Sequence, residues 1–241
     1  MCRRDRINYI NSQLMNRLQQ QEWLICHAAA LGREGRALAL AGFSGGGKST
    51  LMLHLLESPG YRYLTNDRLF LKRRDEGVEA IGIPKLPRIN PGTLINNPRL
   101  APMLPPDRQQ ALRAMPKQAL WELEEKHDVD VARLYGAERI DTSTPLPLEA
   151  LLILNWSHEA EEPTRLQEVD INRRRDLLPA VMKSPGPFYQ DRDGRFLRDD
   201  DPLPEAPYLQ IFESVKVFEA AGRIDFDRLV ELWSEVDGEP E

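Results

Sequence analysis

The sequence contains few cysteines and no long apolar run. Its 241 residues include two cysteines, Cys2 and Cys26, which are too few and too isolated for a disulfide scaffold or a cysteine-based zinc site. No stretch approaches the roughly 18 apolar residues of a membrane-spanning helix, and residues 1–6 lead into a polar stretch rather than a secretion signal. We therefore expect a cytoplasmic protein with no membrane partner.

An excess of positive charge is also absent. The chain has 32 Lys and Arg against 38 Asp and Glu, which gives a formal net charge of −6. Proteins that bind nucleic acids broadly use an excess of cations to displace counterions from phosphates. The composition thus predicts no nucleic-acid partner, although it leaves room for a local basic site.

The length and apolar content favour one large domain. Apolar residues make up 41% of the chain, which is enough for a substantial core. No repeat and no clear linker divides the sequence. We expect a single domain over residues 1–241, with a less regular helical and loop region at 184–241.

Apolar spacing predicts alternating strands and helices. The predicted strands are a hairpin (23–31 and 37–42), one or two strands within 62–71 with a polar break at Asn66-Asp67, and strands at 78–83 and 148–155. The predicted helices lie at 7–21, 51–56, within 108–134, at 173–181 and from 225. Prolines predict an irregular segment over 84–106, in which residues 85–93 form an ordered or ligand-covering loop or a simple connector. This pattern indicates an α/β fold.

The strongest motif lies between the second hairpin strand and the following helix. Gly42-x4-Gly47-Lys48-Ser49 satisfies the phosphate-loop pattern G-x-x-x-x-G-K-[ST]. Such glycines let backbone N–H groups surround phosphates, the lysine reaches the terminal phosphates, and the serine hydroxyl ligates Mg²⁺. The predicted cofactors are ATP and Mg²⁺, and the predicted binding residues are Gly42, Ser44, Gly45, Gly46, Gly47, Lys48, Ser49 and Thr50.

Two familiar classes of phosphate-loop protein need further motifs that this chain lacks. A transporter-type ATPase carries an L-S-G-G-Q-like segment and a distal strand ending in Asp-Glu, and a switch GTPase carries N-K-x-D. The sequence contains none of them. The acidic residue after the next apolar strand is instead Asp67, 18 positions beyond Ser49.

This short gap and the preceding hairpin resemble the HPr kinase/phosphorylase family. From residue 7 to about residue 190, the chain resembles the HPr-kinase-related kinase B group. The segments that carry the resemblance are residues 24–29, 42–56, 63–68, 82–93 and 183–189. The resemblance implies a phosphate-loop kinase with a mixed, partly antiparallel sheet, as in HPr kinases and the phosphoenolpyruvate carboxykinase-like fold.

Site residues follow from the resemblance position by position. It implies Mg²⁺ at Ser49, a catalytic aspartate at Asp67 that also approaches the metal, and a histidine of the site at His27. An acidic metal-binding position falls on Glu79. HPr kinases carry two successive aspartates where this chain has Asn66-Asp67, and Ile81 replaces an expected arginine, so the resemblance does not extend to reverse phosphorolysis.

Further cations lie in the proline-bounded segment. Lys85 and Arg88, together with Asn66, are the predicted acceptor-binding residues, since guanidinium and ammonium groups bind oxyanions. Lys183 is a further candidate that closes over the site.

Each of these assignments has a structural alternative. Asp67 fits a turn former, His27 a hydrogen-bonded core histidine, and Lys85 and Arg88 a solvated loop. The acidic run at 199–201 fits a solvated loop rather than a metal site.

The sequence thus predicts an ATP-dependent kinase in which Lys48, Asp67 and His27 are catalytic. Its partners are a nucleotide and an unidentified hydroxyl acceptor, which is a protein serine or a small molecule. The alternatives are a nucleotide-binding regulatory module and an ATPase. Relatives in the HPr kinase family assemble as oligomers, which makes a homo-oligomer the corresponding expectation.

Overall fold

A computed structural model describes residues 3–83, 85–141, 145–186, 189–190, 193–196 and 201–237. The strands are β1 (Leu24–Cys26), β2 (Ala29–Arg33), β3 (Arg36–Gly42), β4 (Arg62–Thr65), β5 (Leu69–Arg74), β6 (Gly77–Gly82), β7 (Arg88–Ile89), β8 (His127–Asp128), β9 (Leu146–Leu154), β10 (Arg165–Glu168) and β11 (Lys216–Ala221). The helices are α1 (Arg3–Gln20), α2 (Lys48–Leu55), α3 (Pro91–Asn96), α4 (Pro106–Arg113), α5 (Lys117–Glu122), α6 (Val131–Tyr135), α7 (Ala206–Phe212) and α8 (Phe226–Asp237), with 3-10 turns at Ala101–Met103, Ala137–Arg139 and Arg175–Ala180.

Nine strands of the described part form one mixed sheet. Seven of them follow the order β1-β5-β6-β9-β3-β2-β4, while β11 pairs with β9 and β10 pairs with β11. Strand β9 runs parallel to both β3 and β11, and the other pairs in the sheet are antiparallel. The predicted α/β fold with a mixed, partly antiparallel sheet is therefore confirmed.

The sheet is buried on both faces. Along β3, Leu38 and Leu40 point into one apolar cluster with α2 and α8, and Ala37, Ala39 and Ala41 point into a second cluster on the other face. Most of β9 is likewise buried, which explains its nearly continuous run of leucines and isoleucine. No helix within the described ranges has the length and apolarity required to cross a membrane.

Several predicted elements match the structure. The hairpin corresponds to β2 and β3, the two strands that meet at Asn66-Asp67 are β4 and β5, and the strand at 78–83 is β6. The buried strand at 148–155 is β9, and the helices predicted at 7–21, at 51–56 and from 225 are α1, α2 and α8.

The prediction of one strand over 23–31 is wrong. The run divides at His27 because β1 pairs with β5, whereas β2 pairs with β3 and β4. The chain must leave one set of partners before it joins the other. Apolar content alone does not mark such a change of partner, since both strands are buried.

The irregular loop predicted over 84–106 is also wrong. Pro91 is the first residue of α3 and Pro106 the first of α4. Proline is tolerated at the first helical position because its missing N–H group has no intrahelical partner there.

Three other predictions need correction. Region 108–134 contains α5, β8 and α6 besides α4, and region 173–181 forms a 3-10 turn that contains Pro179. Along α1, which apolar spacing predicts as a packed helix, Ile10 and Leu14 are exposed and Leu18 is buried. Sequence reasoning missed β10, α7 and β11, and β11 brings part of region 184–241 into the main sheet.

Hydrogen bonds tie the turn between β4 and β5 to the end of β6. Gly82 lies there, and it has no space for a side chain. The Thr65 hydroxyl donates to the Ile83 carbonyl oxygen at 2.8 Å, and the Ile83 N–H donates to the Arg68 carbonyl oxygen at 3.1 Å. A Cβ atom on Gly82 would lie 2.5 Å from the Leu64 carbonyl oxygen. The close approach of β6 thus fixes the turn that carries Asp67.

We expect Gly82→Ala to lower the free energy of unfolding by about 1–3 kcal/mol, because overpacking against backbone cannot be relieved by rotating a side chain. Urea unfolding followed by circular dichroism measures this change. Gly60→Ala is the matched control, since a Cβ atom there meets its nearest neighbour at 3.8 Å. Equal stability of the two variants would contradict the role of Gly82.

Candidate functional site

The candidate site lies at one edge of the sheet, where several chain segments end together. Because β2 is antiparallel to both β3 and β4, the carboxyl ends of β3 and β4 meet at the same edge. His27 lies just before β2 at this edge, and Asp67 lies just after β4. Strand pairing therefore brings His27 and Asp67 to the glycine loop (residues 42–50), although they are distant in sequence.

The glycine loop joins β3 to α2 through a conformation that requires glycine. Gly45 has φ of +79° and Gly47 has φ of +84°, in the left-handed region. The Gly46 N–H donates to the Phe43 carbonyl oxygen at 2.9 Å. Helix α2 begins at Lys48 and has no acidic residue in its first turn, so the positive end of its dipole is not neutralised locally. This geometry suits an anion such as phosphate.

Two aromatic side chains support the outer side of the glycine loop. The Trp156 Nε1–H donates to the Gly46 carbonyl oxygen at 2.8 Å, and the Phe226 ring meets Trp156 edge-on with centroids 4.9 Å apart. A Cβ atom on Gly47 would lie 2.6 Å from Phe226 Cζ. Sequence reasoning missed both aromatic residues, because no motif marks a distant side chain that contacts a glycine.

We expect Trp156→Phe to weaken nucleotide binding about three- to tenfold, since it removes a hydrogen bond that holds the Gly46 peptide while keeping an aromatic ring. Isothermal titration calorimetry with an ATP analogue measures the change. Trp121→Phe is the control, because Trp121 is exposed and contacts His158 instead. Unchanged affinity in Trp156→Phe would show that the hydrogen bond does not shape the loop.

Asp67 is the centre of the polar contacts at this edge. Its Oδ1 lies 3.0 Å from His27 Nε2, and its Oδ2 lies 3.3 Å from Lys183 Nζ. Lys48 Nζ lies 3.4 Å from the same His27 nitrogen. The structure thus brings together the three residues predicted to be catalytic and adds Lys183 as a direct partner of the carboxylate.

These contacts determine the protonation of Asp67. Burial alone would raise its pKa, but the hydrogen bond from His27 and the positive charges of Lys183 and Lys48 outweigh burial and lower the pKa below its ordinary value. The carboxylate is therefore ionised at neutral pH. Burial lowers the pKa of Lys48, and the negative charge of Asp67 partly offsets that shift.

An ionised Asp67 also determines which atom of His27 carries a proton. A carboxylate only accepts hydrogen bonds, so the close contact at Oδ1 requires a hydrogen on His27 Nε2. That nitrogen then has no lone pair for Lys48. The Lys48 ammonium is attracted by Asp67 yet lacks an acceptor at His27, which leaves its N–H groups available to an anionic ligand.

The other residues of the glycine loop differ in their surroundings. Ser44 and Gly45 are exposed, and Ser49 lies in the first turn of α2. The Thr50 hydroxyl lies 2.8 Å from the Thr93 hydroxyl, which ties α2 to α3. In the described part of the chain, no group of three or more His, Cys, Asp or Glu side chains could hold a metal ion.

The structure does not bring every predicted site residue into this cluster. Glu79 lies opposite Lys72 in the sheet and pairs with Arg74 at 2.7 Å. Arg88 is exposed and pairs with Asp128 at 3.3 Å.

Asn66 and Lys85 lie near Asp67. Asn66 is buried beside it in the turn, and the negative charge of Asp67 acts on the Lys85 ammonium. Cys2, Asp199 and Asp200 lie outside the described residues, as do Pro84, Pro187 and Phe188 of the segments that carry the resemblance.

The sequence matches no protein-family model and no curated protein. In structure, the chain is similar to the HPr(Ser) kinase/phosphatase from Coxiella burnetii, with a TM-score of 0.41 and 12% sequence identity. The similarity covers 89% of this chain and 95% of that chain. A similarity of this size does not show what the site does, so its chemistry depends on the side chains of this chain.

Proposed function

We propose that the chain is an ATP-dependent kinase that transfers the γ-phosphoryl group to a hydroxyl acceptor. One observation carries this proposal: the ionised carboxylate of Asp67 and the ammonium group of Lys48 lie at the same sheet edge, 3.0 and 3.4 Å from His27 Nε2. A phosphate-binding loop by itself serves many activities. A carboxylate beside the phosphate-binding lysine adds a group that can act on the acceptor.

The glycine loop and the first turn of α2 would hold the phosphates of ATP, with Lys48 donating to the terminal phosphates. ATP supplies the phosphoryl group, and Mg²⁺ neutralises charge on the phosphates. Ser49 and Asp67 provide the kinds of oxygen that Mg²⁺ accepts beside water and phosphate. The left-handed glycines and the available Lys48 N–H groups support this assignment.

Asp67 would orient the acceptor hydroxyl and receive its proton. In the transfer, the hydroxyl oxygen bonds to the γ-phosphorus, the bond from that phosphorus to the β,γ-bridging oxygen breaks, and ADP leaves. Because phosphoryl transfer passes through a loose transition state, the proton moves late and positioning dominates the rate. Asp67 is ionised at neutral pH and can therefore accept a hydrogen bond from the hydroxyl, and the contacts from His27 and Lys183 fix its orientation.

The ion pair between Asp67 and Lys183 also favours a second candidate, a nucleotide-binding module without transfer. If Lys183 stays on the carboxylate when nucleotide binds, it opposes protonation of Asp67 during transfer. The two candidates predict the same ATP binding and differ in turnover.

Asp67→Asn tests the catalytic assignment. We expect the single-turnover transfer rate to fall by about 10²–10⁴, while ATP affinity stays within a few-fold, because proton acceptance contributes mainly in the transition state. The assay uses γ-labelled ATP, Mg²⁺ and a cell extract as the source of acceptor. Asp227→Asn, a change at a highly exposed carboxylate on α8, is the matched control.

The result separates the possible roles of Asp67. If the Asp67→Asn variant transfers phosphate at the wild-type rate, Asp67 is not the base of the mechanism. A joint change in rate, affinity and Mg²⁺ dependence would instead identify Asp67 chiefly as a metal ligand. Binding of ATP by the wild-type protein without transfer to any species would favour the nucleotide-binding module.

Lys48→Ala tests the nucleotide site itself. We expect at least a tenfold loss of ATP affinity in calorimetry, because a charge-assisted contact contributes about 1.5–3 kcal/mol. Lys117→Ala removes an exposed lysine on α5 and should leave the affinity unchanged. An unchanged affinity in Lys48→Ala would overturn the phosphate-binding assignment.

A further inference from the structure

Arg68, the residue after Asp67, has a guanidinium group without a partner among the residues that the structure describes. Its Nε atom is buried and makes no hydrogen bond. Across the described residues, the Arg68 side chain also forms no ion pair with a carboxylate. A buried donor without a partner costs free energy, so such groups are rare in folded proteins unless a ligand or water satisfies them.

Lys85 is a second cation without a partner beside Arg68. Its carbonyl oxygen accepts a hydrogen bond from the Tyr63 hydroxyl, which anchors the backbone at this point. Its ammonium group has no hydrogen bond or ion pair with any described residue. Burial lowers the pKa of Lys85, and the positive charges of Arg68, Arg88 and Lys183 lower it further, with Asp67 opposing them.

Asn66 adds an unpaired acceptor to the same turn. Its side chain is 8% exposed, and its Oδ1 atom has no hydrogen-bond partner. Two of the three residues in the turn 66–68 therefore have a buried polar side-chain atom without a hydrogen-bond partner among the described residues. A single unsatisfied polar atom is consistent with local strain. An acceptor and two cations that lack partners in the same region indicate a bound ligand instead.

The charge of this region indicates the kind of ligand. The positive charges of Lys48 and Lys183 act on Asp67, which contacts His27 and Lys183 with its two oxygens, and the charges of Asp67, Lys183 and Arg68 act in turn on Lys85. Lys48 belongs to the glycine loop and would contact the nucleotide phosphates. Arg68 and Lys85 belong to the β4–β5 turn and to the segment after β6, and neither is part of the glycine loop.

Resting on the proposed kinase function, we propose that the acceptor is a small molecule that carries a carboxylate or phosphate group beside its hydroxyl. Arg68 and Lys85 bind this anionic group, and Asn66 accepts a hydrogen bond from the acceptor. A compact anion can reach the buried Arg68 Nε atom and be held by both cations. Binding there places the neighbouring hydroxyl at Asp67.

The test uses inorganic phosphate and acetate as probes of the anion site. Each is titrated calorimetrically into the full chain, with Mg²⁺ and a non-hydrolysable ATP analogue at saturation to fill the glycine loop. We expect at least one probe to bind the wild-type protein. Its affinity should fall at least tenfold in Arg68→Gln and in Lys85→Met and stay unchanged in Arg62→Gln. Arg62 is the control because it is an exposed arginine at the opposite end of β4.

The two probes distinguish the chemistry of the acceptor. Binding of phosphate alone indicates a phosphorylated acceptor, and binding of acetate indicates a carboxylate. Failure of both probes to bind the wild-type protein, or equal binding by Arg68→Gln, would overturn the proposal.

A second measurement excludes a purely structural role for Arg68. Because its guanidinium group makes no contact with a described acceptor and repels Lys85, Arg68→Gln should unfold at the same temperature as the wild type or higher. A melting temperature lowered by several degrees would show a structural role and contradict the proposal.

The affinity for the ATP analogue is the last property to compare between Arg68→Gln and the wild-type protein. Arg68→Gln should bind the ATP analogue within twofold of the wild type, and a tenfold loss would assign Arg68 to the nucleotide. If the wild-type protein does not bind the analogue at all, the proposed kinase function fails. Phosphate binding that persists in Lys48→Ala and disappears in Arg68→Gln would then still identify the anion site.

Discussion

The pairing of β2 with both β3 and β4 is the constraint on which the candidate site depends. An antiparallel strand between two others makes its neighbours parallel to each other, so the glycine loop and the Asp67 turn emerge at one edge. His27 lies where β2 begins, between the two. The contact from Asp67 through His27 to Lys48 follows from this arrangement of three short strands, without any long connecting loop.

Charge at this edge differs from the charge of the whole protein. The chain carries a net charge of −6, yet the positive charges of Lys48 and Lys183 act on Asp67, and those of Arg68 and Lys183 act on Lys85. Like charges brought together in a partly buried site destabilise the free protein, and a bound anion relieves that repulsion. If the proposed nucleotide and acceptor bind at this edge, each would neutralise different cations. The two ligands together would then stabilise the site more than either alone.

The C-terminal part of the chain supports the site from the opposite side. Strand β11 lies beside β9 in the main sheet, and α8 places Phe226 against Gly47 and Trp156. Trp156 follows β9 closely and holds the Gly46 carbonyl oxygen. The glycine loop is thus shaped by residues more than 100 positions away, as well as by its own glycines.

The sequence by itself determined the elements whose causes are local. Apolar runs bounded by turn residues defined β3 and β6, glycines with a following lysine and serine defined the loop before α2, and Asn66-Asp67 marked the turn between β4 and β5. These features depend on backbone preference and side-chain period, which short segments carry. The sequence also identified His27, Lys48 and Asp67 as candidate site residues.

Only the tertiary structure decided how these parts meet. It divided the apolar run at His27, because strand partners and not composition end a buried strand. It paired Glu79 with Arg74 and Arg88 with Asp128, away from the cluster at Asp67, and brought Lys183 to that carboxylate. Among the described residues it also left the buried Arg68 Nε atom without a hydrogen-bond partner. No sequence pattern reveals this, since the pairing of a charge depends on chain segments that become neighbours only on folding.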